Sequence, residues 1–124
     1  MERRIMIIDD DRSLCDRLTE LLRVLGYDAI AFTDGCSALA TMALESGRSR
    51  LDAVLLDLNM PGMNGMAVLK EMSVRHPDVP VIMVSSTLDQ ESTREAMAYG
   101  AKDWIQKPID LELLKDKLAM VFRA

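Results

Sequence analysis

The sequence predicts an α/β domain: a doubly wound parallel sheet of five strands with five helices packed on its two faces. Three observations carry that expectation. Four short aliphatic runs, Ile5 to Ile8, Ala53 to Leu56, Val79 to Val84 and, more weakly, Trp104 and Ile105, are apolar without alternation, as strands buried on both faces require. Between the runs the apolar spacing changes to three and four residues, the period of a helix. The 124 residues are the length of one domain, and no linker, low-complexity stretch or internal repeat divides them. One domain over residues 1–124 is therefore expected.

The elements follow in order. Ile5 to Ile8 forms the first strand. Leu14, Leu18, Leu21, Leu22 and Leu25 then line one helix face, and Gly26 closes it. Ala29 to Thr33 is a more polar strand suited to a sheet edge. Leu39, Met42 and Ala43 mark a second helix ending near Gly47. The strand at Ala53 to Leu56 is followed by a helix carrying Met66, Leu69 and Met72, stopped by His76 and Pro77. After Val79 to Val84 comes a helix from Gln90 to Tyr99, closed by Gly100. Trp104 and Ile105 begin the last strand, and Leu111, Leu114, Leu118 and Val121 mark a last helix with Asp110 as its N-cap. A strand–helix unit repeated five times folds with right-handed crossovers into a parallel sheet.

Composition narrows the function. Hydrophobic residues make up 49% and charged residues 28%, which suits a packed domain and excludes a disordered or fibrous chain. Aromatics are only 4% and methionines number 10, so the core is aliphatic and soft, with Met as fill. With 15 basic against 20 acidic residues the net charge is −5, which argues against direct grip on nucleic acid or on an anionic membrane. The aliphatic runs fall far short of the roughly 18 residues of a membrane span. Asp9, Asp10 and Asp11 cut off the one stretch that could pass for a signal peptide. Cys15 and Cys36 have no metal-ligand spacing, and both read as reduced thiols of a cytoplasmic protein.

In an open parallel sheet, ligands bind beyond the carboxyl ends of the strands. Those ends are where this chain keeps its chemistry. The first strand runs into Asp9-Asp10-Asp11 and the third into Asp57-Leu58-Asn59-Met60-Pro61-Gly62. The fourth runs into Ser85-Ser86-Thr87, and the fifth into Lys107-Pro108. Crowded carboxylates repel one another and call for a cation. Oxygen donors of this kind suit Mg²⁺, bound by one or two carboxylates together with a phosphate oxygen. A carboxylate beside Mg²⁺ and a lysine is equipped to attack phosphorus and form an aspartyl phosphate.

Each feature alone has an ordinary reading. Asp11 or Ser13 could cap the first helix, Asp57 could be a turn residue, Met60-Pro61-Gly62 is common turn chemistry, and Lys107 could be a surface lysine. His76 reads as a loop residue, Asp89, Glu91 and Glu95 as a solvated helix face, and Tyr99 as packing or a partner contact. What argues for a site is that all four strand-end features occur together, in this order.

This constellation resembles the receiver domain of two-component response regulators over essentially the whole chain. The carriers are Ile7 to Asp11, Asp57 to Gly65, Val84-Ser85-Ser86 and Lys107-Pro108. The resemblance implies a flavodoxin-like fold with strand order 2-1-3-4-5. It implies Asp57 as phosphoacceptor, and Asp9 and Asp10 as the acidic pair for Mg²⁺, with Asp10 the more direct ligand. Asn59 stands where the family supplies a backbone carbonyl to the metal. Ser85 takes the switch hydroxyl position, Lys107 that of the lysine on the phosphoryl group, and Trp104 the aromatic switch position, where Tyr or Phe is commoner. The Lys107–Pro108 peptide bond is implied to be cis.

The function so implied is that of a signalling module, not an enzyme, which promotes its own phosphorylation and dephosphorylation. Its phosphoryl donor would be a sensor histidine kinase. The face of the fourth helix, fifth strand and fifth helix would change shape for a homodimer, an output domain or a target. A free-standing regulator and one joined to an output domain both remain open. Two other classes fit less well. A haloacid-dehalogenase-like phosphatase wants a second carboxylate where this chain has Asn59. A flavin site wants Ser, Thr and Gly after the first strand, where this chain has three Asp.

Overall fold

Ile5, Met6, Ile7 and Ile8 are all excluded from solvent, and a strand with both faces apolar finds that environment only inside a covered sheet. The computed structural model describes residues 2–45, 51–60, 62, 64–87 and 89–123. In chain order the elements are β1 (Arg4–Ile8), α1 (Arg12–Val24), β2 (Asp28–Phe32), α2 (Gly35–Glu45) and β3 (Ala53–Asp57). These are followed by α3 (Gly65–Arg75), β4 (Val81–Ser85), α4 (Gln90–Ala98), β5 (Asp103–Gln106) and α5 (Leu111–Arg123). The strands form one sheet in the order β2-β1-β3-β4-β5, and every pairing is parallel. The doubly wound fold is as the sequence pattern leads one to expect, and the strand order is the one that the resemblance implies.

Residue alternation splits the core in two. Ile5 and Ile7 of β1, with Leu55, Ile82, Val84 and Ile105, face Cys15, Leu18 and Leu22 of α1 and Leu114 and Leu118 of α5. Met6, Ile8, Val54, Leu56 and Met83 face Ala38 and Met42 of α2, Val68, Leu69 and Met72 of α3, and Ala96 of α4. Each fully buried Ile, Leu or Met is worth roughly 2 kcal/mol of transfer free energy. The two faces therefore hold the sheet as a rigid platform. Methionine is core fill at Met6, Met42, Met60, Met72 and Met83, whereas Met97 and Met120 are exposed.

Carboxylates and one carboxamide start the helices. Asp11, Asn64 and Asp89 accept from the backbone N–H of Leu14, Ala67 and Ser92 at 3.1, 2.9 and 2.7 Å. Asp34 takes the Ser37 N–H at 2.7 Å, and Asp110 takes those of Glu112 and Leu113 at 3.0 and 3.2 Å. These bonds satisfy otherwise orphaned amides, and at Asp34 and Asp89 they hold the carboxyl below its ordinary range. Asp89 is thus a cap as well as part of an acidic face. Helices α1 and α4 run out into Gly26 and Gly100, both at positive φ, the conformation that ends a helix and that other residues adopt only with strain. His76 caps the C-terminal end of α3. The expected end of the second helix, Gly47, lies outside the described residues, as do Pro61 and Met63. Among the described residues no helix is long and apolar enough to cross a membrane.

Candidate functional site

Sheet register brings the strand-end residues together. Ile8 of β1 lies opposite Leu56 of β3, so Asp9 and Asp57, each one residue further on, stand side by side. Asp57 pairs with Val84 of β4, and Ser85 pairs with Gln106 of β5, which sets Ser85 and Lys107 just beyond. The Lys107 N–H donates to the Ser85 carbonyl at 2.8 Å, and the Lys107–Pro108 peptide bond is cis. The strand order reverses between β1 and β3, which is where an open sheet of this kind leaves its crevice.

Asp57 is the last residue of β3 and is only 4% exposed. The backbone of Gly65 lies against it, so close that a Cβ there would overlap the Asp57 carbonyl oxygen. Gly65 also donates its N–H to the Leu58 carbonyl at 3.0 Å. This pins the loop between β3 and α3 over the strand end.

The electrostatics are those of a crowded anionic pocket. Asp9, Asp10 and Asp57 each bring a carboxylate oxygen within 4.8 Å of the others. Asp9 is 3% exposed. Its carboxylate takes the Lys107 ammonium at 2.8 Å and the Asp11 N–H at 2.9 Å. Lys107 stands 3.7 Å from Asp57. The lysine is thus bound to Asp9 and leans toward Asp57.

Burial, and then the charge of Asp9, push the Asp57 carboxyl up from 3.8 to about 6, although Lys107 and the Asn59 N–H pull it back. Burial of Lys107 favours its neutral form. The hydrogen bond to Asp9, with the charges of Asp9, Asp57 and Asp10, outweighs that and raises it above 10.5. Three carboxylates against one ammonium leave the pocket short of positive charge. The donor set is all hard oxygen and mutually close, which suits a divalent ion such as Mg²⁺.

Ser85 is fully buried. Its hydroxyl donates to the Thr87 carbonyl at 2.9 Å and accepts the Thr87 N–H at 3.1 Å. Asn59, whose N–H reaches Asp57 Oδ1 at 3.3 Å, also donates its side-chain Nδ2 to Ser85 Oγ at 3.0 Å. Trp104 stands apart from the pocket, 40% exposed on β5. Lys117 lies 5.8 Å from its ring centroid and pairs with Asp103 at 2.7 Å. The space beside the ring, lined by Leu58, Met83, Ala96 and Met97 among others, is about 10 Å³.

The structure therefore gathers Asp9, Asp10, Asp57, Asn59, Ser85 and Lys107, leaves Trp104 on the outer surface, and gives Asp11 to a helix cap. Two contacts have no counterpart in the sequence reading. One is the Asn59 amide on Ser85. The other is the buried Cys15 thiol, which donates to the Asp9 carbonyl at 3.2 Å. Burial, followed by the charges of Asp9, Asp11 and Asp16, raises that thiol to about 11, so it stays protonated and unreactive.

A family model for the response regulator receiver domain matches residues 5–119. The sensory transduction protein RegX3 of Mycobacterium tuberculosis is 39% identical over 119 residues, covering 96% of this chain and 50% of that protein. The DNA-binding transcriptional regulator NtrC of Salmonella typhimurium is 35% identical over 125 residues, covering 100% of this chain and 25% of that protein. The chain thus spans half or less of the length of these curated relatives. Among solved structures, Vibrio cholerae chemotaxis protein CheY4 superposes with TM-score 0.88 at 28% identity, covering 98% and 99% of the two chains. A CheY from Borrelia burgdorferi, solved with CheX, beryllofluoride and Mg²⁺, gives 0.90 at 26% identity, covering 97% of this chain and 89% of that one.

Proposed function

Because the chain belongs to the response regulator receiver family, we propose that residues 1–124 form one receiver domain that takes a phosphoryl group onto Asp57 in an Mg²⁺-dependent reaction. The observation that carries this reading is the position of Asp57: buried at the end of β3, 3.7 Å from the Lys107 ammonium and in one cluster with Asp9 and Asp10.

An ionised Asp57 oxygen attacks phosphorus, the bond from phosphorus to the imidazole nitrogen of a sensor histidine kinase breaks, and the imidazole leaves as the neutral base once protonated. Asp57 titrates at about 6, so at neutral pH it is already the nucleophilic carboxylate. Asp10, Asp9, Asp57 and the backbone carbonyl of Asn59 are the groups that would hold Mg²⁺. Its chemistry there is to neutralise phosphoryl oxygens. Lys107, 3.7 Å from Asp57, would neutralise a phosphoryl oxygen in the same way on exchanging its Asp9 contact for it, and Ser85 would offer a hydroxyl to one oxygen. The Borrelia burgdorferi relative crystallised with beryllofluoride and Mg²⁺ supports a similar use of this pocket.

The domain works as a signalling module that speeds its own phosphorylation and hydrolysis rather than turning over a separate substrate. Its place is the cytoplasm, and its outputs are a homodimer through the face of α4, β5 and α5, an attached domain or a target protein. The test is intact-mass spectrometry after treatment with a small phosphodonor and Mg²⁺. The wild type should gain one acid-stable, base-labile phosphoryl group and Asp57→Asn none. An equal adduct on the variant would move the acceptor elsewhere.

A further inference from the structure

Asn59 touches both halves of the site, its backbone N–H on Asp57 and its side-chain amide on Ser85. A serine hydroxyl has one proton and two lone pairs. At Ser85 the proton goes to the Thr87 carbonyl, and the lone pairs take the Thr87 N–H and the Asn59 amide. The hydroxyl has no second proton for an amide oxygen, which is why Asn59 presents its NH₂ group. So occupied, Ser85 cannot donate to an oxygen on Asp57 until its proton leaves Thr87 and its place beside Asn59 changes.

We propose that the Asn59 side chain is a latch: it holds the Ser85 hydroxyl in the resting arrangement and so sets the fraction of unphosphorylated molecules that are already switched. The inference rests on Ser85 being the hydroxyl that meets the phosphoryl group, and it adds the residue that restrains it. Asn59 acts through Ser85 and is a positioning residue. Its amide is exposed enough to regain water on release, which keeps the latch weak, on the order of a single net hydrogen bond. Aspartate would not substitute. It has no proton to give, it would compete with Thr87 for the serine proton, and it would add a fourth carboxylate to Asp9, Asp10 and Asp57.

The test follows backbone amides of α4 and β5 by ¹⁵N NMR, since the hydrogen bonds of Asn59 described above go to Asp57 and Ser85 and to neither element. The wild-type chain is measured free and with beryllofluoride and Mg²⁺, which defines the resting and switched ends of a line. Free Asn59→Ala should shift along that line toward the switched end, with the switched-to-resting ratio raised roughly two- to fivefold. Asn59→Leu, which keeps the bulk without the donor, should move the same way. In a Ser85→Ala background, replacing Asn59 should add nothing. If the wild type responds to beryllofluoride but both Asn59 variants stay at the wild-type free position, the latch is refuted and the phosphoryl reading stands. If bound beryllofluoride leaves the wild-type α4 and β5 amides unmoved, the latch falls together with the switch it restrains, while Asp57 as acceptor is decided separately by the mass measurement.

Discussion

Asp57 is the residue on which the proposed chemistry and the stability of the domain meet. Its carboxyl titrates at about 6 in the folded chain against an ordinary 3.8. Between those values the folded chain keeps a proton that the unfolded chain has lost. Stability therefore falls as pH rises through that window, by roughly 3 kcal/mol in all. Lys107 titrates above 10.5, so the stability it contributes stays in place throughout that range. Without metal, Asp57→Asn should be more stable than the wild type at pH 7.5, by about 1–3 kcal/mol, and nearly equal to it at pH 4. Urea unfolding at the two pH values measures this. A variant less stable at pH 7.5 would mean that the Lys107 contact outweighs burial and the repulsion from Asp9.

Asp10 and Asp11 are adjacent in sequence and separate in role. Asp10 belongs to the carboxylate cluster, whereas Asp11 caps α1 through the Leu14 N–H. Asp11→Ala should cost about 1 kcal/mol and still gain stability from Mg²⁺. Asp10→Asn should lose the Mg²⁺ effect and, with one charge fewer to repel its neighbours, match or exceed the metal-free stability of the wild type. Thermal melts with and without Mg²⁺ separate them, and an Asp11 variant blind to Mg²⁺ would place that residue in the metal site.

At the scale of elements, the turn from β3 into α3 is fixed by close approach. A Cβ at Gly65 has nowhere to go except into the Asp57 carbonyl and the Leu58 backbone. Gly65→Ala should cost at least about 2 kcal/mol and slow phosphorylation by displacing the strand end. Denaturant titration and intact-mass kinetics check this, and an unperturbed variant would show that the loop yields freely.

The neighbouring element, α4, limits how Trp104 can report a switch. The cavity beside the ring holds about 10 Å³, room for one water and not for an indole. The ring can turn inward only if α4 moves with it. That helix is well placed to move, since Ala96 is its one buried residue among those described. A Lys70–Glu95 pair at 3.5 Å and the Lys70 ammonium over Tyr99 tie it to α3 at the surface, and exposed pairs of this kind hold weakly.

The elements differ in how far the sequence reveals them. β1, β3 and β4 are legible because burial on both faces demands unbroken aliphatic runs. β5 is an edge strand whose burial is concentrated at Ile105, so its pattern is thin and its place comes from the order of elements. The site is legible wherever a strand end carries a distinctive group, as at Asp9, Asp57, Ser85 and Lys107. The Asn59–Ser85 contact joins residues 26 apart in the chain and depends on the register of β3 against β4, which no local pattern encodes. Asp89 reads as part of an acidic face for a similar reason. The start of α4 at Gln90 is legible, but with so little apolar periodicity in the helix nothing singles out Asp89 as its cap.

The whole molecule combines a sheet clamped between two aliphatic cores with one sparsely buried flank at α4 and β5. Net charge of −5 argues against a grip on nucleic acid by this domain itself, which fits the proposed output through protein contact on that flank. The central claim is that a phosphoryl group on Asp57 is carried through Ser85 to Trp104. Ser85 is buried at the end of β4, and Trp104 lies on β5 opposite Met83 of β4. Such a two-state element is biased only by contacts that differ between its states, and the new contact proposed is the Ser85 hydroxyl on a phosphoryl oxygen. Trp104 is the one tryptophan in the chain, so its emission reads the outcome alone. The most direct measurement is its fluorescence and quencher access, before and after phosphorylation verified by mass. The account predicts a changed spectrum and changed quenching in the wild type, a much smaller change in Ser85→Ala, and none in Asp57→Asn. Emission and quenching unchanged on a fully phosphorylated wild type would contradict it, leaving Trp104 a fixed surface ring.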